Sequence, residues 1–382
     1  MIKSIINKIN SCLPTLPEEK HVHEPILLND ALKHIKKCIK STYVSTQGDY
    51  IDKFSAKIKN ITEANYVLLT NNGTSALHMA LMMTDIENCE VLVPSMTFVA
   101  TVNAIRYVNG IPHFIDTRMN DFNIDTKKLD DYLKKNTLLK GNVCINKKTK
   151  KCIKSILIVH AYGYPADISK IIAIAKKYNL GIIEDAAGGL GSYHRLKHVG
   201  TYARFGILSF NGNKIITTGM GGALLIKNKR DYLKIKHYIS TSRIQHKWVI
   251  AHDDIGYNYR MSNINAALGY AQISKLQLII KKKKILHDKY TKAFIDSNCA
   301  TIYNSTDNNT PNYWLNNLIL NNEFEDQQHN LIKKLHANKI YARYLWTPQH
   351  LLSMHQKYPS MNMQNTIDIW RRTISLPSSY IL

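Results

Sequence analysis

The stretch SILIVHAYGYPADISKIIAIAKKYNLGIIEDAA, residues 155–187, decides the fold of this chain. It begins and ends with the short, almost continuously apolar runs 155–160 and 181–185, whose length is typical of buried strands. Between them, apolar residues recur at helical spacing, at Ile168, Ile171, Ile172 and Ala175. Asp167 stands where a helix N-cap belongs, and Gly181 follows the helix. A strand, a helix and a second strand in this order predict two parallel strands with a covering helix.

The same alternation extends to both sides of this stretch. Further strand-like runs are EVLVP (90–94), PHFID (112–116), FGILSF (205–210) and GALLI (222–226). We therefore expect an α/β fold with a mostly parallel central sheet and helices on both faces. After residue 268 the pattern changes to a long helix and shorter mixed elements, which is typical of a smaller α+β domain. The predicted division is an N-terminal extension (1–25), a large domain (26–268) and a small C-terminal domain (269–382).

The run AQISKLQLIIKKKKILHDKYTKAF (271–294) predicts one long helix, with Lys281–Lys284 on a solvated face. Near the N-terminus, isoleucines also recur at helical spacing, but lysine and asparagine interrupt them too often for a secretory signal. No stretch approaches the ~18 consecutive apolar residues of a membrane span. We expect a cytoplasmic protein that binds no membrane.

The composition is that of an ordinary globular protein, with 45% hydrophobic and 21% charged residues among 382, which excludes collagen-like, coiled-coil and disordered classes. The net charge of +23 favours a polyanionic partner such as nucleic acid, an anionic membrane or a phosphorylated small molecule. The lysines are scattered, however, so compositional drift is the simplest explanation, a phosphorylated ligand comes second and nucleic acid third.

Six cysteines in a chain of this length do not predict a disulfide framework. No pair has C-x-x-C spacing, and free thiols in a reducing compartment are the expectation. Cys144 and Cys152 could face each other across a hairpin, although the intervening NKKTK is typical of a plain turn.

Polar, aromatic and small residues cluster where the predicted strands end. These segments are Pro94–Phe98, Asp116, His160–Gly163, Asp185–Ala187 and Ser209–Asn211. Open α/β sheets bind ligands at the carboxyl ends of their strands. Five such ends together predict a site at this edge of the sheet.

Two of the neighbouring segments suit a phosphate. Asn72-Gly73-Thr74-Ser75 precedes an apolar helix, whose N-terminal N–H groups and dipole attract anions. The alternative is that Thr74 or Ser75 is only a helix cap. Ser209 places a second hydroxyl at the end of another strand, five residues before Lys214.

Lys214 is followed by two isoleucines and two threonines, so its loop returns to apolar structure rather than staying in solvent. Burial lowers the pKa of a lysine from about 10.4 and makes it a usable base and nucleophile. Asp185 is followed by small residues that leave room for a flat ring. A lysine, a carboxylate and a phosphate site on three strand ends match the needs of pyridoxal phosphate. A surface lysine in a flexible turn is the alternative.

At these residues the chain resembles the DegT/DnrJ/EryC1/StrS family of fold-type I aminotransferases. The family's motifs appear here in the family's order, at Asn72–Leu77, Val93–Thr101, Val159–Asp167, Ile183–Ala187 and Ser209–Gly222. The similarity extends over nearly the whole chain, through 254–272, 312–320 and 376–379. It is greatest to the branch that aminates UDP-4-keto-6-deoxy-N-acetylglucosamine, and a GDP-perosamine synthase-like enzyme is the alternative.

The resemblance implies a fold-type I pyridoxal phosphate enzyme that transfers an amino group from L-glutamate to the C4 ketone of a nucleotide-linked sugar. The implied catalytic residues are Lys214, which would hold the cofactor covalently and move a proton, and Asp185, against the pyridine nitrogen. The implied cofactor-binding residues are Gly73, Thr74, Phe98, Asp185, Ser209, Lys214 and Asn258. Phe98 would stack on the ring. Asn258 would reach the cofactor of a neighbouring subunit, which implies a homodimer with shared active sites.

Arg260 and Arg343 are the implied substrate-binding residues. Arg343 lies in YARYLW where the family often has RPxW, so tyrosine replaces the proline. Two further positions depart from the family pattern: Gly188 replaces a usual Glu, Gln or His, and Met220 stands where Glu or Gly is common. Neither departure removes the lysine, the acid or the phosphate hydroxyl.

Three alternatives remain open. A 3-dehydratase of the same family carries histidine at the lysine position, which Lys214 contradicts. A DNA-binding regulator with this fold would need a DNA-recognition motif, and no helix-turn-helix pattern precedes residue 60. A catalytically inactive scaffold that binds pyridoxal phosphate is the third.

Two other clusters are interpreted as structural. His252, Asp253 and Asp254 are adjacent in sequence without a second histidine at metal spacing, so no metal site is expected. Tyr313 and Trp314 are interpreted as small-domain core or interface rather than as part of a cofactor site.

Overall fold

The computed structural model describes residues 1–15, 17–305 and 309–379. Within these ranges it contains twelve α-helices and eighteen strands. The helices are α1 (Ile2–Cys12), α2 (Asp30–Ser41), α3 (Asp49–Thr62), α4 (Gly73–Met82), α5 (Val99–Tyr107), α6 (Thr126–Asn136), α7 (Ile168–Lys177), α8 (Lys229–Tyr238), α9 (Asn263–Ile273), α10 (Leu276–Phe294), α11 (Gln328–Ala337) and α12 (Gln364–Arg372). The strands are β1 (Lys20–His21), β2 (Tyr66–Thr70), β3 (Glu90–Pro94), β4 (Ile111–Ile115), β5 (Thr137–Lys140), β6 (Val143–Asn146), β7 (Cys152–Val159), β8 (Gly181–Asp185), β9 (Tyr193–His194), β10 (Lys197–His198), β11 (Phe205–Ser209), β12 (Gly222–Ile226), β13 (Ala300–Ile302), β14 (Asn309–Thr310), β15 (Asn316–Leu320), β16 (Ile340–Tyr341), β17 (Arg343–Tyr344) and β18 (Thr373–Leu376).

The central sheet has the strand order β2-β12-β11-β8-β7-β3-β4, with β5 and β6 attached beside β7. The pairs β11–β8, β8–β7, β7–β3 and β3–β4 are parallel, whereas β12 runs antiparallel to both of its neighbours. This confirms the predicted mostly parallel α/β sheet. All six predicted strands are present, and β2 is an additional strand at the edge. The predicted cap is also confirmed, because the Asp167 side chain accepts a hydrogen bond from the Lys170 N–H.

Apolar side chains on both faces of the central sheet are buried, which explains why its strands consist of continuous apolar runs. One face packs on α4, α5, α6 and α7 residues such as Leu81, Ile105, Leu129 and Ile171. The other face packs on α3 and α9 residues such as Phe54, Ile58 and Ala267. Parallel strands covered on both faces in this way leave only their carboxyl ends open for a ligand.

A second, antiparallel sheet has the strand order β13-β15-β18-β17. Helices α1, α10 and α11 cover one of its faces, with Ile5, Ile9, Tyr290, Leu318 and Leu335 in a common apolar cluster. Residues from the predicted N-terminal extension therefore pack on the small sheet. We propose the division of the chain near residue 268 on the ground that each sheet has its own apolar core.

The long helix predicted over 271–294 is wrong at its start, because α9 ends at Ile273 and α10 begins at Leu276. Between them the Ser274 hydroxyl donates to the Ala271 carbonyl at 2.6 Å. Such a local hydrogen bond competes with the helix ladder and favours a bend.

The solvated face predicted for Lys281–Lys284 is wrong for Lys283, which is fully buried. Its amine donates to the Ser378 carbonyl, and burial lowers its pKa to about 7. The reason is the helical period, since Lys283 falls on the same stripe as Leu276, Ile279, Leu286 and Tyr290.

The expectation that all six thiols are free is also wrong. Cys89 and Cys152 form a disulfide with their Cα atoms 5.0 Å apart. They meet because β3 and β7 are neighbours, with Glu90 opposite Ile153. Cys144 lies opposite Ile153 on the other side and is a free thiol, as are Cys12, Cys38 and Cys299. Sixty-three residues separate the bonded pair, so the chain gave no local signal for it.

Candidate active site

The candidate site lies at the carboxyl ends of the central strands. Asp185 ends β8 and Ser209 ends β11, and the two strands pair in parallel with Ile207 opposite Asp185. Lys214 follows Ser209 in a loop whose Thr218 N–H returns to the Phe210 carbonyl at 2.9 Å. The predicted lysine, acid and hydroxyl are therefore brought to one edge of the sheet.

Lys214 carries a perturbed amine. Burial lowers its pKa to about 8, and the charge of Asp185 opposes this shift only in part. Ile215 and Ile216, which follow it, are buried, as the sequence indicates. Part of the Lys214 residue still reaches solvent. An amine with a pKa near 8 has an appreciable neutral fraction near pH 7 and can accept a proton.

Asp185 is buried and held by two donors. The Thr101 hydroxyl donates to Oδ2 at 2.7 Å, and the Ala187 N–H donates to Oδ1 at 3.0 Å. The Thr97 hydroxyl in turn donates to the Thr101 oxygen at 2.8 Å. Burial nevertheless raises the pKa of Asp185. The two hydrogen bonds and the charge of Lys214 favour the carboxylate form, but burial outweighs them.

Sequence reasoning missed the two threonines that hold Asp185. Thr97 precedes helix α5 and Thr101 lies in its first turn, so the only available signal was their spacing of four residues.

Gly73 and Ser209 lie side by side. A Cβ at Gly73 would stand 3.1 Å from the Ser209 Cβ and 3.4 Å from its hydroxyl oxygen. Gly73 begins α4, and the cap of that helix is Asn72, whose side chain accepts from the Ser75 N–H at 2.7 Å. The alternative that Thr74 or Ser75 is the cap is therefore wrong. The N-terminus of α4 and the Ser209 side chain are therefore neighbours at this edge of the sheet, and a helix N-terminus is an environment that favours anions.

Phe98 precedes α5 and is 55% exposed, with its ring centroid 6.2 Å from that of Trp346. Trp346 stacks in turn on Tyr162 at 4.2 Å. An exposed aromatic face beside the end of β3 could hold a flat ring.

Trp314 is buried, with 2% of its surface exposed, so the core interpretation is confirmed to that extent. Its indole ring nevertheless lies beside the candidate site, because the Lys214 amine lies 3.8 Å from the ring centroid. One hundred residues separate the two in sequence, and no local pattern could join them.

Asn258 and Arg260 lie beside the end of β2, which is separated from the strand of Ser209, β11, by β12. The Asn71 side chain donates to the Asn258 carbonyl at 3.3 Å, and Arg260 donates to the Thr46 carbonyl. Both residues line a cavity of about 890 Å³ whose other walls include Thr46 and His237. Arg343 is exposed on edge strand β17, where it pairs with Ser375. The structure thus places neither arginine in contact with Lys214 or Asp185.

Glu184, directly before Asp185, is a third residue that sequence reasoning missed. Its buried carboxylate accepts from the N–H groups of Gly200, Tyr202 and Ala203 at 2.7 to 2.8 Å and lies 3.3 Å from the His160 imidazole. Burial alone would raise the pKa of Glu184, but these hydrogen bonds and the His160 imidazole outweigh burial, so the net shift is downward. Glu184 therefore ties the strand of Asp185 to the loop that precedes β11.

Across the described ranges, no group of three or more His, Cys, Asp and Glu side chains could hold a metal ion. The His252 ring bonds the Thr241 carbonyl at 2.7 Å, and Asp253 bonds His237 at 2.6 Å. Among all the residues that the structure describes, no helix is long and apolar enough to cross a membrane.

A sequence model of the DegT/DnrJ/EryC1/StrS aminotransferase family matches residues 25–382. The chain belongs to this family. GDP-perosamine synthase of Escherichia coli O157:H7 is 33% identical to this aminotransferase over 366 residues, which cover 94% of the chain and 92% of that protein. UDP-4-amino-4,6-dideoxy-N-acetyl-beta-L-altrosamine transaminase of Campylobacter jejuni strain 81-176 is 31% identical over 339 residues, covering 87% and 86%.

The solved structure of Helicobacter pylori PseC, an aminotransferase involved in pseudoaminic acid biosynthesis, has a TM-score of 0.85 at 23% identity, with 94% of this chain and 93% of that chain covered. This likeness shows the fold. The predictions of the family, the fold and an aminotransferase activity are confirmed.

Pyridoxal phosphate is the cofactor of this aminotransferase family, as predicted. The residues present fit it, because Gly73 leaves free the space beside Ser209 that a Cβ would fill, Asp185 places a buried carboxylate at the strand ends, and burial lowers the pKa of the Lys214 amine.

Proposed function

We propose that this aminotransferase moves an amino group from L-glutamate to the C4 ketone of a nucleotide-linked 4-keto-6-deoxy sugar, for the synthesis of surface polysaccharide or glycan. The single observation that carries the proposal is the partly buried Lys214 amine near Asp185 at the strand ends, in a chain similar to sugar-nucleotide enzymes. The chemistry that pyridoxal phosphate supplies when bound is an electron sink beside the reacting carbon.

Lys214 is the proposed catalytic base and the residue that holds the cofactor covalently. Once the amine of glutamate has replaced it on the cofactor, the freed Nζ would take the α-proton of glutamate and deliver it to C4′ of the cofactor. Because burial brings the pKa of this amine to about 8, it releases the proton as readily as it accepts it near neutral pH.

Asp185 is the proposed partner of the pyridine nitrogen. Its carboxylate keeps a proton on that nitrogen, and the hydroxyl of Thr101 fixes the carboxylate's orientation at 2.7 Å. The remaining proposed cofactor contacts are Gly73, Thr74 and Ser209 to the phosphate and Phe98 to the ring face.

We propose that the active unit is a homodimer. The loop before Asn258 carries exposed apolar side chains, which are Ile244, Trp248, Val249, Ile250 and Ile255. Exposed apolar clusters of this kind mark interaction sites, and a second copy is the partner implied by Asn258. Mixing inactive Lys214→Ala with inactive Asn258→Ala should restore activity if each site draws on both subunits. No recovery after subunit exchange would contradict shared sites.

Arg260 and Arg343 are proposed to contact the sugar nucleotide. Their exposed or cavity-lining positions suit a phosphate-bearing ligand rather than the reacting atoms. Replacing either by alanine should raise KM for the sugar and leave kcat nearly unchanged.

The substrate test is a panel of 4-keto-sugar nucleotides with glutamate, read by release of 2-oxoglutarate. One arm carries uridine diphosphate and a 2-acetamido group, and the other carries guanosine diphosphate without it. The greater identity to GDP-perosamine synthase is the observation that favours the second arm. Lys214→Ala is the control. No turnover of any sugar, together with a normal visible cofactor band, would indicate the inactive scaffold.

A further inference from the structure

Trp314 reaches Lys214 from the second sheet's side of the molecule. It lies just before β15, and the Lys214 amine stands 3.8 Å from the centroid of its indole ring. The indole Nε1–H donates to the Asn213 carbonyl at 2.7 Å. The ring is thus bonded to the residue directly before the lysine, so the ring face and the amine keep a fixed relation.

Asn312 fixes the backbone that carries this indole. Its side-chain Nδ2 donates to the carbonyls of Gly188 and Leu190 at 2.7 and 2.9 Å, and its Oδ1 accepts from the Trp314 N–H at 2.9 Å. All three bonds are buried. The tryptophan is therefore clamped onto the loop that follows Asp185.

Gly188 is the position that makes room for the indole. A Cβ there would stand 2.5 Å from Cε3 and 2.7 Å from Cζ3 of Trp314. The ring cannot retreat easily, because it is almost fully buried in a cluster that contains Tyr162 and Trp346. The departure of Gly188 from the family pattern thus has a physical reason in this chain.

We propose that Trp314 is a positioning residue that holds the Lys214 amine against its indole face, in space that Gly188 leaves free. The proposal rests on the proposed function only in the role given to Lys214. An aromatic face attracts an ammonium group through its quadrupole, most strongly when the ring is tryptophan and water is excluded. The same ring blocks one side of the amine from solvent, which directs Nζ toward the open side of the site.

One titratable group, Asp185, acts on Lys214, and Lys214 in turn acts on a second, His23. Asp185 lies at the end of β8 and its charge favours the ammonium form. His23 precedes α2, and the charge of Lys214 contributes to lowering the pKa of its imidazole, after the larger effect of burial. Both groups are retained in the Trp314 variants, so a change in the pKa of Lys214 is assigned to the loss of the indole.

Competitive acetylation across a pH series tests the proposal. The full-length protein is loaded with pyridoxamine 5′-phosphate, which leaves the Lys214 amine free, and the labelled fraction of its peptide is read by mass spectrometry. Trp314→Leu keeps apolar bulk but removes the π face, so the pKa of Lys214 should fall by about one pH unit. Trp314→Phe should give a smaller fall in the pKa of Lys214. If the Trp314→Leu variant does not fold, the fall measured in Trp314→Phe tests the proposal instead.

The matched control is Trp370→Leu on α12, which should leave the labelling profile of Lys214 unchanged. An unchanged or raised pKa in the folded Trp314 variants would overturn the proposal. Because the readout is the amine itself, failure of every sugar substrate would count against the proposed function and not against this inference.

A double-mutant cycle tests the coupling to Gly188. Gly188→Ala alone should displace the indole and shift the pKa of Lys214 by a comparable amount. In the Trp314→Leu background, which lacks Cε3 and Cζ3, the same change should add almost nothing. Additive shifts in the pKa of Lys214 would show that the two positions act independently and would refute the coupling between Gly188 and Trp314.

Discussion

Replacing Lys214 with methionine should stabilise the cofactor-free protein at neutral pH. Burial penalises the charged form of the amine and lowers its pKa from 10.5 to about 8. Below pH 8 the amine is charged in both the folded and the unfolded chain, so the wild-type protein bears the full penalty. Between pH 8 and 10.5 the unfolded chain binds more protons than the folded one, so wild-type stability rises with pH in that window.

The size of the effect follows from the same pKa difference. At about 1.4 kcal/mol per pH unit, the penalty is about 3 kcal/mol. Solvent reaches part of the Lys214 side chain, and screening reduces the penalty to about 2 kcal/mol. Methionine has a similar length and no charge, so the Lys214→Met variant should recover about 2 kcal/mol, or about 4 °C in Tm.

Differential scanning calorimetry of both cofactor-free proteins at pH 7 and pH 10.5 measures this difference. The gain in Tm should be present at pH 7 and nearly absent at pH 10.5. A variant that melts at or below the wild-type temperature at pH 7, or a gain that does not change with pH, would refute a buried, destabilised amine at this position.

Asp185→Asn should slow amino-group exchange with glutamate by about a hundredfold or more while leaving the fold intact, as stopped-flow absorbance and circular dichroism would measure. Glu184→Gln should lower Tm by about 6 °C at pH 7, because a buried charge with four partners is lost. Folding lowers the pKa of Glu184, so its contribution to stability is present above pH 4.5 and is lost as the pH falls through the lower pKa of the folded state. Calorimetry should show that the Glu184→Gln variant does not lose this part of its stability in acid. Denatured, unreduced protein should titrate four thiols and reduced protein six, since Cys89 and Cys152 are bonded.

Three outcomes would contradict these expectations. Near-normal exchange in Asp185→Asn would remove the role proposed for that carboxylate. A Glu184→Gln protein that melts with the wild type would show that its backbone donors find other acceptors. Six thiols before reduction would show that the cysteine pair is not bonded.

The sequence predicted the sheet and the residues at its strand ends because both depend on local patterns. Continuous apolar runs of about five residues mark strands buried on both faces, and the residue after each run lies at the ligand edge. Asp185 was accessible to this reasoning because it ends such a run, and Lys214 because it lies in the short loop that follows the run 205–210.

Contacts between distant segments lay beyond the same reasoning. Trp314 meets Lys214, and Cys89 meets Cys152, only because the folded sheets bring separate parts of the chain together. Lys283 is different, because its place on the apolar stripe of α10 was visible in the helical period. The run of four lysines favours a solvent-exposed face, whereas the helical period places Lys283 on the buried face, and the structure agrees with the period.

Helix α1 has a consequence for the order in which the protein assembles. Its isoleucines at positions 5, 6 and 9 pack with Ile374 and Leu376 of β18, the strand between β15 and β17. A ribosome synthesises α1 more than 350 residues before it reaches β18. The small sheet therefore cannot close until synthesis is nearly finished, and until then the apolar side of α1 lacks its partners from β18.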